Sequence, residues 1–373
     1  MRQITVHLGP RSYTVLVGSG LLGAAGRECA RLGLGRRLGV VTQRPVAAHA
    51  HRVAEGLREA GFAPLVVEIP DGEAAKSLAE AGALWDAFLG HGLDRSSAVV
   101  AVGGGVVGDL AGFVAATYMR GVGLVQAPTT LLAQVDASVG GKVAVNHPRA
   151  KNLIGAFHQP RLVLIDPDTL GSLPEREYRS GLAEVIKTGA ALNADLFGLL
   201  EERSDALRRR DPVLLESVVA TCCTEKATIV EQDEREESGL RMVLNYGHTV
   251  GHALEALGGY RIWLHGEAVA VGIAAAARLA ERLGLTDART AERQVALLEA
   301  VGLPSRFAAP AAGEVVEALR HDKKARDGRV PFVLLKALGR AEVCFDVPSA
   351  VVLEVLEAIH GGSTPLPGPP PER

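Results

Sequence analysis

Short apolar runs alternate with amphipathic stretches through the first half of the chain. Tyr13-Thr14-Val15-Leu16-Val17-Gly18 and Leu38-Gly39-Val40-Val41-Thr42 read as strands. From Pro45 to Ala60, Val46, His49, Val53, Leu57 and Ala60 fall along one helical face, and Gly61 stops the pattern. Leu65-Val66-Val67-Glu68-Ile69 is the next strand, Leu78 to Leu89 is helical again, and Ala98-Val99-Val100-Ala101-Val102 is apolar throughout, as a strand covered on both faces must be. Two later strands are expected at Gly123-Leu124-Val125-Gln126-Ala127 and Leu162-Val163-Leu164-Ile165-Asp166. Such alternation predicts a parallel sheet covered by helices.

The pattern changes after Leu173-Pro174. From Glu175 to about Leu338 most segments carry helical periodicity and little strand character. The expected organisation is an α/β domain over 1–173, a mainly α-helical domain over 174–345, a C-terminal helix over 346–360 and a disordered tail over 361–373, where Pro and Gly dominate. A length of 373 residues exceeds what one ordinary core serves, which agrees with two domains.

Charge narrows the partners. A formal net charge of -3 gives no reason to expect nucleic acid or an anionic membrane. No apolar run reaches the roughly 18 residues of a membrane span, and the N-terminal residues Met1-Arg2-Gln3-Ile4-Thr5-Val6 lack a signal-peptide core, so a cytoplasmic protein is expected. Cys29, Cys222, Cys223 and Cys344 form no C-x-x-C pair, and inert thiols are the better reading. Of the 40 basic residues only eight are Lys: 76, 142, 151, 187, 226, 323, 324 and 336. In a chain that uses Arg by default, a Lys marks a place suited to a compact ammonium on a flexible stem. All but the last of the eight fall in the motifs below.

The strand ending at Val102 runs into Gly103-Gly104-Gly105-Val106-Val107-Gly108-Asp109 and then a helical stretch. G-x-G-x-x-G between strand and helix lets backbone approach a diphosphate at a helix N-terminus, which points to a Rossmann-like dinucleotide site. The motif follows a late strand, however. About 20 residues on, where an acidic ribose ligand is usual, Gln126 and Ala127 stand instead. Asp71-Gly72-Glu73 with Lys76 follows the strand ending at Ile69 and supplies hydroxyl acceptors and a cation; an ordinary capped helix start is the competing explanation. The stretches Ala127 to Lys142 and Lys151 to Phe157 combine small residues with lysines, Asn152, Asp136 and hydroxyls, as a site for a phosphorylated substrate requires.

His248 and His252 lie one helical turn apart, and His265 opens the next apolar helix. Three of the 11 histidines in so short a stretch suggest a metal centre. Glu184, inside an otherwise apolar helix with Lys187 three residues on, is the best acidic ligand. Spacing alone names His248 and His252 as the ligand pair; a surface His pair with an isolated Glu is the plain alternative.

These motifs together resemble the 3-dehydroquinate synthase family. The resemblance runs from Arg11-Ser12-Tyr13 to Asp322-Lys323-Lys324 and rests on Asp71-Gly72-Glu73-x-x-Lys76, Gly103 to Asp109, Pro128 to Lys142, Lys151-Asn152-x-Ile154-Gly155, Leu244 to His252 and His265-Gly266-Glu267. It implies a dehydroquinate synthase-like fold, with an NAD-binding α/β domain joined to a helical metal domain. It implies zinc, replaceable by cobalt, on Glu184, His248 and His265, with His252 turned to substrate instead. It implies NAD held by Asp71, Glu73, Lys76, Gly104, Gly105, Asp109, Thr129, Thr130, Lys142, Lys151 and Thr169. Substrate would be held by Asp136, Lys142, Asn152, Lys187, Lys226, Arg241, Asn245 and His252, by one of Lys323 and Lys324, and by Arg120 reaching across a homodimer to the phosphate. The family carries Asp, Asn or Glu near Thr42-Gln43-Arg44, where this chain has Thr and Gln.

The implied reaction converts the sugar phosphate 3-deoxy-D-arabino-heptulosonate 7-phosphate to 3-dehydroquinate and phosphate. It proceeds by transient oxidation with NAD, β-elimination of phosphate, reduction, ring opening and aldol closure. The implied setting is the shikimate pathway to chorismate and the aromatic amino acids. The alternatives are another sugar phosphate cyclase, making an inosose or a valiolone, and a metal-dependent polyol dehydrogenase. An Arg241 and Lys226 grip on a carboxylate separates the first reading from the other cyclases.

Overall fold

The computed structural model describes residues 1–148, 150–320 and 330–361. Lys323, Lys324 and all of the 361–373 tail except Gly361 lie outside the described residues. The described chain separates into two compact units, Met1–Leu173 with Leu215–Arg235, and Pro174–Leu214 with the described residues from Glu236 to Gly361.

The first unit is built on a sheet of β1 (Arg2–Val6), β2 (Tyr13–Val17), β3 (Arg37–Gln43), β4 (Ala63–Ile69), β5 (Ala98–Gly103), β6 (Gly123–Pro128) and, after the hairpin β7 (Lys142–His147) and β8 (Ala150–Phe157), β9 (Leu162–Ile165). The strand order is β1-β2-β9-β6-β5-β3-β4, parallel except for β1 on β2. β5 and β9 are buried along their whole length, which is why they read as unbroken apolar runs. Helices Ala25–Ala30 and Ala47–Glu59 cover one face through Cys29, Ala50, Val53 and Leu57. Helices Leu78–His91 and Gly105–Thr117 cover the other through Leu84, Phe88, Val107 and Leu110. The fold is thus a doubly wound α/β layer followed by a helical unit.

The chain leaves β3 for β4 on one side and returns to β5 on the other, so the order reverses between β3 and β5. Ligand sites of open α/β sheets form at the strand ends of such a switch point. Thr42-Gln43 and Gly103-Gly104 stand at these two ends, which accounts for a glycine motif after a late strand.

In the second unit the helix His265–Arg282 is buried along most of its length. Helices Glu175–Leu192, His248–Leu257 and Ala288–Ala300 pack against it. A helix spans Ser349–Ile359. No helix among the described residues is long and apolar enough to cross a membrane.

Three corrections concern the elements. The stretch read as helical to Leu338 contains a hairpin, β10 (Phe332–Ala337) on β11 (Arg340–Cys344), turning at Gly339 with φ 78°. Its four buried residues in succession, Phe332 to Leu335, give no period to distinguish strand from helix. The β7–β8 hairpin was hidden by its many small and polar residues. Finally, residues 215–235, expected in the helical domain, belong with the sheet unit. There the Cys223 thiol donates to the Gln134 carbonyl at 3.3 Å, and Lys226 reaches Asp136.

Candidate active site

Two glycines set the frame of the helical unit's histidine cluster. A Cβ on Gly266 would stand 1.8 Å from the Ser180 carbonyl oxygen, and one on Gly272 would stand 1.8 Å from that of Gly247. Only glycine permits such approaches. Helix His265–Arg282 therefore lies backbone to backbone against the turn before Glu184 and against the residue before His248. Glu267 accepts from the Leu264 N–H at 2.9 Å and from Arg176 at 2.7 and 2.9 Å, which pins the helix start beside His265.

Glu184, His248 and His265 each offer a ligand atom, all within 4.8 Å of one another. His248 Nε2 is 3.6 Å and His265 Nε2 3.3 Å from Glu184 Oε1. The Lys187 ammonium sits 2.5 Å from Glu184 Oε2, and both side chains are buried. The His248 Nδ1–H donates to the Tyr246 carbonyl at 3.1 Å. That bond leaves the Nε2 lone pair facing the cluster. Burial pushes the His248 imidazole well below its ordinary range, so it is neutral. Burial also opposes a charge on His265, but hydrogen bonds to Glu184 and Glu255 outweigh it and hold that imidazole at about 10. One positive charge is thus favoured at this point. A divalent cation on two imidazoles and a carboxylate would supply it, and the donor set suits zinc or cobalt.

His252 and His248 have ring centroids 5.2 Å apart. A second group of possible ligand atoms joins His252, Glu255 and His265. Arg241, which a polar surface turn could have carried, is instead 2% exposed, with Glu236 at 3.9 Å. Asn245 ends the same 3-10 stretch, Leu240–Asn245.

The sheet unit gathers the other candidates. Lys76, 4% exposed, donates to Asp109 at 2.5 Å and to the Asn152 side-chain oxygen. Burial pushes the Asp109 carboxyl above its usual range, and Lys76 pulls against that shift. Asn146 donates to Glu73 at 2.7 Å, accepts from the Asn152 N–H at 3.0 Å, and its own N–H donates to the Lys76 carbonyl at 2.8 Å. Asn152 itself is left-handed, at φ 54°. Lys151 lies 3.7 Å from Glu73, and Asp71 accepts from the Gly72 N–H at 2.9 Å. The glycine turn at Gly104 and Gly105 opens helix Gly105–Thr117, whose first N–H groups stand outside the helix ladder.

Thr129 Oγ1 is buried without a hydrogen-bond partner among the described residues, whereas Thr130 Oγ1 accepts from the Ala133 N–H at 3.2 Å. The Thr169 hydroxyl is engaged twice, donating to the Asp166 carbonyl at 2.8 Å and accepting from Gln134 at 3.0 Å. Lys226 pairs with the Asp136 carboxylate and donates to its carbonyl at 2.5 Å. Lys142 is exposed on β7. Arg120 is exposed too, in a turn where Met119 and Arg120 hold φ 50° and 66°, a conformation uncommon outside glycine.

Sequence reasoning missed two residues that organise these groups. Asn146 ties two motif segments together, and Glu255 holds His265. Asn146 sits between two quoted motifs, and its place opposite the Asp71-to-Lys76 loop is a tertiary fact. Glu255 carried a legible signal, seven residues after His248 and so on the same helical face.

The family model described as 3-dehydroquinate synthase N-terminal matches residues 66–180, and that described as 3-dehydroquinate synthase C-terminal matches residues 181–325. A 3-dehydroquinate synthase of Desulforamulus reducens is 51% identical over 358 residues, 95% of this chain and 99% of its own. Among solved structures, 2-deoxy-scyllo-inosose synthase complexed with carbaglucose-6-phosphate, NAD+ and Co2+ matches with a TM-score of 0.84 at 27% identity, over 96% of this chain and 99% of that one. The 2-epi-5-epi-valiolone synthase of Streptomyces hygroscopicus, with NAD+ and Zn2+ bound, matches with a TM-score of 0.85 at 29% identity, over 93% and 96%. Both halves of the sequence are matched by one family, and its relative agrees at half of all positions from end to end; this chain belongs to the 3-dehydroquinate synthase family.

Proposed function

We propose that the chain converts 3-deoxy-D-arabino-heptulosonate 7-phosphate to 3-dehydroquinate and phosphate, as a cytoplasmic carbon–oxygen lyase dependent on NAD and a divalent metal. The observation that carries the choice among cyclases is its far higher identity to the 3-dehydroquinate synthase relative than to the inosose and valiolone synthases. When bound, NAD supplies reversible hydride acceptance and the metal polarises the hydroxyl being oxidised.

The protein's part is binding and orientation. Glu184, His248 and His265 hold the cation, and the buried Lys187 beside Glu184 keeps a positive charge at its edge. Arg241, buried, offers a rigid fork suited to a carboxylate, with Lys226 as a second cation. Asp136, Lys142, Asn152, Asn245 and His252 serve the hydroxyls and the phosphate. Asp71, Glu73, Lys76, Gly104, Gly105, Asp109, Thr129, Thr130, Lys142, Lys151 and Thr169 serve the nucleotide. The Thr129 hydroxyl, unpartnered among the described residues, supports a ligand contact there, because a buried polar group without a partner is costly.

The test is incubation of the chain with the heptulosonate phosphate, NAD and zinc. Equal release of phosphate and dehydroquinate without net NADH is expected; phosphate release without dehydroquinate would sink the reading. The proposed homodimer rests on the role that the family resemblance implies for Arg120, a reach to the neighbouring subunit's phosphate; its exposure in a left-handed turn is compatible with that role. Mixing inactive Arg120→Ala and Lys187→Ala chains should restore part of the activity. No recovery after proven subunit exchange would remove Arg120 from the partner's site.

A further inference from the structure

The His265 ring is held from both sides. Its Nε2 faces Glu184 Oε1 at 3.3 Å, and its Nδ1 faces Glu255 Oε2 at 3.3 Å. Glu255 is 8% exposed and lies on helix His248–Leu257, which also carries His248. We propose that Glu255 is a positioning residue of the metal centre, which accepts the Nδ1–H of His265 and so fixes the Nε2 lone pair toward the cation. This rests on the reading that Glu184, His248 and His265 hold that cation.

Two observations favour this role over a structural one. The other imidazole has the same arrangement, with the His248 Nδ1–H on the Tyr246 carbonyl at 3.1 Å. Each ring thereby has an outer acceptor that selects its tautomer. Helix stability does not explain the residue, since Glu255 lies in the last turn before Leu257, where the helix dipole disfavours an anion. The loop beyond the helix is tied to Glu255 through the backbone, the Tyr260 N–H bonding the Glu255 carbonyl at 2.8 Å. The proximity of His252, Glu255 and His265 is then explained without a second cation, because the Nδ1 of His265 is already engaged.

Outer partners of metal-bound histidines typically change affinity by about 10- to 100-fold. Zinc affinity, read by chelator competition on the full chain, should fall about 10-fold in Glu255→Gln, which keeps a neutral acceptor, and about 100-fold in Glu255→Ala. The visible spectrum of the cobalt-loaded protein should shift in both, while the melting temperature of the metal-stripped chain stays near that of wild type. A structural role would reverse this, with a lowered metal-free melting temperature and an unchanged cobalt spectrum. Unchanged affinity in Glu255→Gln and Glu255→Ala overturns the proposal, as does binding of two zinc ions per wild-type chain. If Glu255→Ala fails to fold, the nearly isosteric Glu255→Gln decides alone. Undiminished zinc binding by Glu184→Gln would overturn the ligand assignment itself, and this proposal with it.

Discussion

The helical unit's histidine cluster and the sheet unit's lysine cluster solve one problem in opposite ways. Both must hold charged side chains away from water. In the sheet unit the charges satisfy one another: Lys76 with Asp109 and Lys226 with Asp136, while Lys151 and Glu73 pair nearer the surface. The carriers are helices, turns and a hairpin, and Asn146 joins the Glu73 loop to the hairpin through side-chain bonds. In the helical unit the frame is backbone against backbone, and the imidazoles are turned inward by bonds at their outer nitrogens. On the proposed function, the sheet-unit pairs must exchange partners to admit a ligand. The helical cluster is set in geometry beforehand, as a metal centre requires.

Breaking the helical cluster at its centre should have the largest effect. Glu184→Gln or His265→Ala should lose stoichiometric metal and reduce turnover by more than about 100-fold, the upper figure for outer partners alone; metal analysis beside activity checks this. Retained metal in His265→Ala with loss in His252→Ala would favour the ligand pair that spacing names. Next comes Arg241→Leu, which removes a buried charge-assisted contact worth about 2–5 kcal/mol, or roughly 30- to 4,000-fold in kcat/KM. Near-wild-type turnover would sink the carboxylate role and reopen the inosose and valiolone alternatives.

Gly272→Ala attacks the frame rather than the ligands. Its methyl would meet the Gly247 carbonyl oxygen at 1.8 Å, and overpacking of this kind costs about 1–3 kcal/mol. A lowered melting temperature with weaker zinc binding is expected; weaker binding at an unchanged melting temperature would argue against a rigid frame. The smallest effect should come from Asn146→Ala. Leaving its polar partners unmatched costs about 1–3 kcal/mol, so NAD affinity by calorimetry should fall roughly 10-fold, with metal content untouched. Loss of metal in that variant would erase the contrast between the two clusters.

The sheet was legible because β5 and β9 are buried on both faces and wrote their burial directly into sequence. β1 was missed because it is mostly exposed, with burial beginning only toward Val6. β10 was missed because its buried run follows a long helical stretch, outside the strand–helix alternation that frames β5 and β9. In the candidate site, motif residues could be named, but their partners could not. Spacing offered His248 and His252 because one helical turn is all it measures. The approach of Glu184 to His265 depends on Gly266 meeting Ser180, a contact between distant segments. The burial of Arg241 was likewise invisible, since its neighbours in sequence, Asp233 to Glu237, are those of a surface turn.

The contacts of Gly266 and Gly272 carry a consequence for folding. The three proposed ligand atoms belong to Glu184, His248 and His265, and no two of these residues share a helix. An unfolded chain holds them at random distances, and a chain with one helix undocked holds no site. A cation that binds only the completed arrangement is therefore linked to the folding equilibrium of this unit. At a free concentration 100 times its dissociation constant it would add about 2.7 kcal/mol to stability, so chelation should act on the lifetime of the fold as well as on its chemistry.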